Sequence, residues 1–287
     1  MLNSTCEIHE DPFFKPIHIS LNIFYILVYT LAFYILLAKC PNYFRQYRNH
    51  LLVQIVSMLL VEIHFSVFWN LSIDVPWAAM CSNGMGSGYS VQMFQIFIVL
   101  NCFVGITSLN LFIYRMKAVT IHMENPKFQK SVMFFYYVFI ILSGVLFIFN
   151  LLIYSDLKKQ YEYKIKVEEK FGSFPAYIWC DNCLFMKFDS IIFQCFWILC
   201  YLGVLNVYIT GVMAAIESYR MLYSKNLKLS TKSTRLQKNF MFSLVVADHG
   251  SISTLSMIFT NNVLRKGVKE MWKCGKEGRI SGVHVIN

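Results

Sequence analysis

The stretch from Val91 to Arg115, VQMFQIFIVLNCFVGITSLNLFIYR, contains 24 residues without a charge and ends with an arginine. At about 1.5 Å of rise per residue, a helix of this length crosses a hydrocarbon layer about 30 Å thick. We therefore predict a membrane-spanning α-helix. In its outer half, Met93 and Gln95 have an alternative role, which is to line a ligand-binding space. Its uncharged polar side chains are expected to face neighbouring helices: Gln95, Asn101, Thr107, Ser108 and Asn110.

The composition places the whole chain in the same class. Of its 287 residues, 56% are hydrophobic and only 15% are charged, and the mean hydropathy is positive. A soluble core does not need so much apolar surface, so we predict that the bilayer is the solvent of this chain. The net charge is +10, and the basic residues lie in short loops between apolar runs. In that position they set the orientation of the helices in the membrane, which argues against a nucleic-acid partner.

The predicted fold is an all-α, polytopic transmembrane helix bundle. The loop after the first apolar run carries Lys39, Arg45 and Arg48, so the positive-inside rule places that loop in the cytoplasm and the N-terminus outside. Asn3, in the sequon Asn3-Ser4-Thr5, is then a predicted glycosylation site. The predicted parts are an extracellular segment, 1–16, a bundle, 17–260, with spans at about 17–38, 51–71, 91–114, 131–154, 191–216 and 239–260, and a basic tail, 261–287.

Two ionisable residues, Glu62 and His64, lie inside the second predicted span. Ionisable groups at that depth are costly, so both must face protein or water. Residues that are two positions apart in the sequence of a helix point about 200° apart around its axis, and these two side chains therefore cannot line one pocket as a pair. One reading is that Glu62 is protonated or hydrogen-bonded between helices and that His64 packs against a neighbour. The alternative reading is a functional role in ligand binding.

Four of the nine cysteines fall in segments that are predicted to be outside. Cys6 precedes the first span, Cys81 lies in a loop without lysine or arginine, and Cys180 and Cys183 end the longest loop, 156–189. The Cys-x-x-Cys spacing is also found in redox and zinc sites, but an oxidising compartment favours disulfides. Four cysteines allow three connectivities. Because they share a side and lie near the membrane, we predict that Cys81 pairs with Cys180 or Cys183.

The C-terminal part contains a conflict. The sixth run, 239–260, is interrupted by Asp248, His249 and Gly250, and both flanks of the run are basic, although one crossing cannot leave both flanks in the cytoplasm. Either the run is re-entrant, or it crosses and leaves a basic tail outside, or a helix is missing. We predict one hybrid helix, 237–260, that crosses once. Asp248 and His249 would then turn towards the second and third helices, with His64 or Glu62 as a partner.

Four segments carry a family resemblance. They are CPNYFRQYRNHLLVQIVSMLLVEIH at 40–64, LFIYRMKAV at 111–119, STKSTRLQKNF at 230–240 and HGSISTLSMIFTNNVLRK at 249–266. From about Pro12 to Trp272 the chain resembles the nematode chemosensory serpentine receptors, a seven-helix, G-protein-coupled group, with class I most similar and class H next. Glu62 stands where class I usually has an aspartate. The resemblance implies that most of a sixth helix and the start of a seventh are absent between Leu236 and His249.

The resemblance also implies a function. A receptor of this kind binds an external small molecule and presents basic cytoplasmic loops to a heterotrimeric G protein, and we expect it in the plasma membrane of a sensory neuron, without a cofactor or metal. The expected ligand-binding residues are Gln92, Gln95, Gln194, Glu62 and His64. The expected G-protein-facing residues are Tyr114, Arg115, Lys117, Arg220 and Arg235.

Three alternatives compete with this receptor function, and the first two use the ionisable residues of the predicted spans. An intramembrane enzyme would use Glu62, His64, Asp248 and His249, but no HExxH or GxSxG motif accompanies them, so we predict that the protein is not an enzyme. A small transporter or channel subunit would use these groups as a relay, although internal repeats are lacking. The third alternative is a nonfunctional receptor fragment, because of the missing helix.

Overall fold

The computed structural model describes residues 14–39, 45–74, 79–120, 127–173 and 175–223. Asn3, Cys6 and Arg235, the sixth run with Asp248 and His249, and the tail lie outside the described residues. The helices are α1 (Phe14–Tyr34), α2 (Arg45–Ile63), α3 (Ser90–Thr120), α4 (Lys127–Lys158), α5 (Gln160–Phe171) and α6 (Ile191–Tyr223). Helices α1 and α2 continue as short π-helical segments, Ile35–Lys39 and His64–Trp69. The strands are β1 (Leu71–Asp74), β2 (Ala79–Ser82) and β3 (Cys183–Phe185).

Five of the described helices are long and apolar enough to cross a membrane, which confirms the predicted helix bundle in this part of the chain. Each of these helices overlaps one of the first five predicted runs. Helices α3 and α4 extend well beyond their apolar runs, because a helix outside the hydrocarbon can continue through polar residues. The spans are Ser20–Ala38, Arg45–Trp69, Ser87–Ala118, Phe128–Lys158 and Ile191–Arg220.

Helix α3 is the central helix of the described bundle. It packs against α2, α4 and α6, while α4 also packs against α6, and α1 packs against α2. The approach of α3 to α4 is close at Gly105, where a Cβ atom would lie 2.8 Å from Cζ of Phe139. A side chain at this position would therefore require the Phe139 ring to shift.

A three-stranded antiparallel sheet covers one end of the bundle, where α2 and α4 end and α3 and α6 begin. We call this end the sheet end and the other the basic end. Strand β2 is central, and in its pairing with β3 Cys81 lies directly opposite Cys183. These two cysteines form a disulfide with Cα atoms 4.0 Å apart, one of the two pairings left open above. The sequence had suggested only loops here, because the strands are short and pair across about a hundred residues of chain.

Helix α5 and the loop that follows it pack against the sheet. Ile178 and Phe185 are fully buried there, with Tyr163 and Val167 of α5 against them. The Gln160 side chain accepts a hydrogen bond from the Phe185 N–H at 2.8 Å and donates one to the Phe185 carbonyl at 3.3 Å. Gln160 thereby occupies backbone groups of the short edge strand β3, which would otherwise lack a partner strand. The sheet, α5 and residues 175–185 together form what we call the lobe.

The loop after β2 satisfies the last carbonyl groups of the second span. The N–H groups of Gly84, Met85 and Gly86 donate to the carbonyls of Trp69, Val67 and Phe68 at 2.8–3.2 Å. These are the carbonyls that a helix end leaves without an intrahelical partner, and near the bilayer such groups must be paired. A Cβ atom at Gly84 would overlap the Phe68 carbonyl and lie 2.8 Å from the carbonyl carbon of Trp69, so the contact requires glycine.

We predict that Gly84→Ala destabilises the lobe by about 2 kcal/mol or more, because backbone cannot move aside as a flexible side chain can. The matched control is Gly88→Ala, since a Cβ at Gly88 meets nothing within 4 Å. Thermal unfolding of detergent-solubilised protein should give a lower Tm for Gly84→Ala and an unchanged one for Gly88→Ala. Equal Tm values for both variants would contradict the prediction.

Lys164 of α5 is buried in the lobe with 2% of its surface exposed. Its Nζ donates a hydrogen bond of 2.8 Å to the Cys180 carbonyl. Burial lowers the pKa of Lys164 to about 8, and the charge of Asp181 offsets only part of this shift. Between pH 8 and the usual lysine range the unfolded chain therefore binds more protons than the folded one, so Lys164 makes the lobe more stable as the pH rises through that window.

We expect Lys164→Met to remove this pH dependence. The Cys180 carbonyl would keep its bond from the Cys183 N–H at 3.1 Å, so the substitution leaves no acceptor unpaired. The gain in unfolding free energy from about pH 8 to 10.5, of order 2–3 kcal/mol, should be present in the unmodified protein and absent in Lys164→Met. Lys166→Met, at an exposed position of the same helix, is the control and should retain the pH dependence. Parallel stability profiles for all three proteins would refute the assignment.

Candidate functional site

Seven aromatic side chains gather beneath the sheet, and we call them the aromatic cluster. Phe65 and Phe97 contact edge to face with centroids 4.8 Å apart, Trp69 lies 5.5 Å from Phe97, and Phe94 lies 6.1 Å from Phe196. The cluster thus joins the end of the second span to the first turns of α3 and α6. Its members are Phe65, Trp69, Phe94, Phe97, Phe193, Phe196 and Trp197.

Two hydrogen-bond donors in this cluster are unused. The indole Nε1 atoms of Trp69 and Trp197 are buried, and neither has a hydrogen-bond partner. A buried donor without a partner carries a desolvation cost, and such groups in native proteins usually have a reason. The cluster is therefore one place in the described bundle where hydrogen-bonding capacity is left unused among aromatic rings.

His64 lies at the edge of the aromatic cluster. Its ring is 5.9 Å from that of Trp69, only 4% of the residue is exposed, and its Nε2 donates to the Met93 carbonyl at 2.9 Å. This bond fastens the second span to the first turns of α3. Glu62 lies on another face of α2, half-buried and near Tyr29 of α1. The two residues therefore have different neighbours, as expected from their spacing along the helix.

The three predicted glutamines do not contact the same neighbours. Gln95 Nε2 donates to the Asn150 carbonyl at 2.6 Å, and Asn150 Nδ2 donates to the Gln95 carbonyl at 3.1 Å, so this pair clamps α3 to α4. Gln92 Nε2 lies 3.4 Å from the Tyr154 hydroxyl of α4. Gln194 is exposed and donates to the Phe188 carbonyl at 2.7 Å, within its own chain segment. Of the predicted ligand-binding residues, only His64 adjoins the aromatic cluster.

A second concavity opens between α3 and α4 farther from the sheet. It encloses about 320 Å³ and has an apolar lining except for Cys102 and Ser143. Its rim includes Phe103 and Phe147, whose rings are partly exposed on the outside of the bundle. In the described bundle this groove opens on the outer surface between α3 and α4.

At the basic end, Arg115 of α3 is held by Tyr47 of α2. The guanidinium carbon lies 4.4 Å from the centre of the Tyr47 ring, and the guanidinium also donates a hydrogen bond to the Tyr47 hydroxyl. Tyr47 stacks on Tyr114 at 6.1 Å, and His50 lies 4.8 Å from Tyr114. Two predicted G-protein-facing residues, Tyr114 and Arg115, are thus built into one contact between α2 and α3.

The other predicted G-protein-facing residues are more loosely grouped. Lys117 and Arg220 are exposed at the basic ends of α3 and α6, and Arg235 lies outside the described residues. Sequence reasoning missed Tyr47 and His50, although both lie in the segment at 40–64. It also missed the aromatic cluster, for which the available signal was the helical spacing of Phe94 with Phe97 and of Phe193 with Phe196 and Trp197.

The Cys-x-x-Cys pair does not form a thiol site. Cys183 is bonded to Cys81, and Cys180 is disulfide-bonded as well, so neither has a thiolate for zinc or for redox exchange in this state. Among the described residues, no three His, Cys, Asp or Glu side chains are close enough together to hold a metal ion.

Comparison with known proteins gives one match. The family model for the serpentine type 7TM GPCR chemoreceptor Srh matches residues 9–248, which is most of the chain. No curated protein and no solved structure matches. The ranking of class I above class H remains a prediction that rests on the sequence resemblance alone. With a membrane helix bundle and a match over more than half of its length, the chain belongs to the Srh family of serpentine, seven-transmembrane chemoreceptors.

Proposed function

We propose that the protein is a G-protein-coupled chemosensory receptor of the plasma membrane, with the lobe outside and the basic end in the cytoplasm. The observation that carries this proposal is that α2 and α3 are joined at both ends. At the sheet end they meet in the aromatic cluster, and at the basic end they meet through Tyr47 and Arg115. A ligand that changes their packing at one end therefore has a direct route to the other.

Two independent features support the orientation. Exposed or half-buried basic residues collect at the end opposite to the sheet, which the positive-inside rule assigns to the cytoplasm. The disulfide between Cys81 and Cys183 lies at the sheet end, and disulfides persist on the oxidising side of a membrane. The basic residues in question are Arg45, Arg48, Lys117, Lys130 and Arg220.

The proposed ligand is a small, largely apolar molecule with at least one hydrogen-bond acceptor, such as a carbonyl, ester or ether oxygen. Stacking and apolar contact with the aromatic cluster would supply most of its affinity. The indole N–H groups of Trp69 and Trp197 would orient it. A hydrocarbon of the same size would leave both donors unpaired and should bind more weakly.

For signalling, the receptor has two helix packings, and the ligand favours one of them by binding it more tightly. In the resting packing, Tyr47 holds Arg115 by a cation–π contact and a hydrogen bond. A hydrogen bond from a charged donor contributes about 1.5–3 kcal/mol, and a cation–π contact contributes about 0.5–2 kcal/mol. Separation of α2 from α3 at this end would release the guanidinium and open a basic surface for the G protein.

A second possibility is a receptor whose C-terminal helices are incomplete. The family match ends at residue 248, beside the Asp248-His249-Gly250 interruption and the segment where the resemblance implies a missing helix. A chain without most of its sixth helix would keep the lobe and the aromatic cluster. It would lack a helix that normally borders the G-protein site, so ligand binding without signalling is the outcome expected of this alternative.

The receptor proposal predicts opposite effects for two variants at the basic end. Tyr47→Phe keeps the ring but removes the hydroxyl, so the resting packing loses about 1.5–3 kcal/mol and basal signalling should rise at least about tenfold. Arg115→Ala should abolish signalling from an agonist found by screening small carbonyl compounds. The measurement is a G-protein activation assay in cells, normalised to receptor at the surface.

Lys130→Ala is the control for both variants, because Lys130 is an exposed cation at the same end of the bundle. It should change neither basal nor agonist-driven signalling. If Tyr47→Phe has the same basal signalling as the unmodified receptor at an equal surface level, the proposed resting contact is wrong. Full agonist response in Arg115→Ala would argue against the assigned role of Arg115.

The single crossing of the hybrid helix, 237–260, is tested by the side on which the C-terminus lies. We predict that a tag after Asn287 is reached by antibody on intact cells, as is a tag at the N-terminus. Because the tail is basic, this topology opposes the positive-inside rule, and a fraction of molecules in the opposite arrangement is expected. A C-terminal tag that is stained only after permeabilisation would show that the run is re-entrant or that a further crossing exists.

A further inference from the structure

Cys180 forms a disulfide whose partner cysteine has to be identified. Cys180 is disulfide-bonded, whereas Cys183, three residues later, is bonded to Cys81. The other described cysteines are free thiols, Cys102, Cys195 and Cys200. Of the nine cysteines in the chain, the candidates for bonding Cys180 are therefore Cys6, Cys40 and Cys274.

Cys40 is too far away. It directly follows Lys39, at the basic end of the first span, whereas Cys180 lies in the lobe at the sheet end. The helical stretch from Phe14 to Lys39 is about 39 Å long at 1.5 Å per residue. Disulfides require Cα atoms within about 7 Å, so a bond between Cys40 and Cys180 would have to cross the membrane.

Cys274 is disfavoured by charge. It follows Tyr223, which ends α6 at the basic end, by about fifty residues, and it lies in a tail that carries six basic residues. The single crossing proposed above carries this tail to the outer side against the positive-inside rule, and therefore in only part of the molecules, so Cys274 reaches the side of Cys180 in that part alone. Phe14 begins α1 at the sheet end, and Cys6 precedes Phe14 by eight residues in the sequence. Eight extended residues span up to about 27 Å, which is the reach of Cys6 from the start of α1.

We propose that Cys6 and Cys180 form a second disulfide, which fastens the N-terminal segment to the lobe. On formation, the two thiols lose two protons and two electrons, and a protein disulfide of the secretory compartment is reduced to a dithiol. In the described bundle α1 packs against α2, so the bond gives α1 a covalent anchor to the lobe.

Peptide mapping distinguishes the candidates. Protein from a secretory host is alkylated without reduction, cut with trypsin and with a protease that cleaves before aspartate, and only then deglycosylated. Cleavage before Asp181 separates Cys180 from Cys183, which lets the two disulfides be read independently. We expect a disulfide-linked pair of peptides, MLNSTCEIHE from 1–10 and FGSFPAYIWC from 171–180. A link from 171–180 to the peptide CGK, 274–276, or an alkylated Cys180, would overturn the proposal.

Single substitutions give a second readout on intact cells. Cys6→Ser should free Cys180, and Cys180→Ser should free Cys6, so each variant gains one thiol that a membrane-impermeant maleimide labels. The double variant should gain none, and Cys195→Ser is the control without a gain. Labelling of Cys180 in the unmodified protein, or no gain in Cys6→Ser, would refute the bond. The proposal uses the orientation proposed above, but the peptide map does not depend on signalling and can succeed when a signalling assay fails.

Discussion

The polar groups of α3 must all be paired inside the bilayer, and this requirement organises the bundle. Water is not available there, so neighbouring helices supply the partners of four of them. Asn101 is the exception and was wrongly predicted to face a neighbouring helix, because it is exposed and donates to the Phe97 carbonyl of its own helix. The pairing of the other four sets the rotation of α2 and α4 about the central helix, since a small rotation would separate several pairs at once. The pairs are Gln95 with Asn150, Thr107 with Ser57 at 2.9 Å, Ser108 with Gln54 at 2.7 Å, and Asn110 with Tyr136 at 2.8 Å.

The two ends of this bundle have different chemistry. At the sheet end, aromatic rings from three helices meet beneath a disulfide-bonded lobe, and two buried indole donors remain unused. At the basic end, an arginine is held by a tyrosine across the same pair of helices. Between these ends, short hydrogen bonds join Gln54 to Ser108 and Ser57 to Thr107, so α2 and α3 are also held together along their length. This arrangement suits a membrane receptor, in agreement with the Srh family to which the chain belongs.

The family resemblance named Tyr114 and Arg115 as G-protein-facing residues, and that role stays a prediction. The structure places both residues in the contact between α3 and α2. Gln92 and Gln95 were expected to line a ligand space, and the structure places them against α4. A glutamine inside a span signals only that a partner is needed, and the sequence alone does not say whether that partner is a helix or a ligand. The aromatic cluster was missed for a related reason, because regular spacing shows a face without showing what it meets.

By itself, the sequence determined the membrane-helix class, the approximate position of five described spans and the family resemblance. These properties depend on local hydrophobicity and on short motifs, which any stretch of chain carries with it. Only the tertiary structure decided which cysteine pairs with Cys81. Cys180 and Cys183 are three residues apart and equivalent by composition, and the register of β2 with β3 places Cys183 opposite Cys81. That register depends on contacts between segments about a hundred residues apart, and no local pattern specifies them.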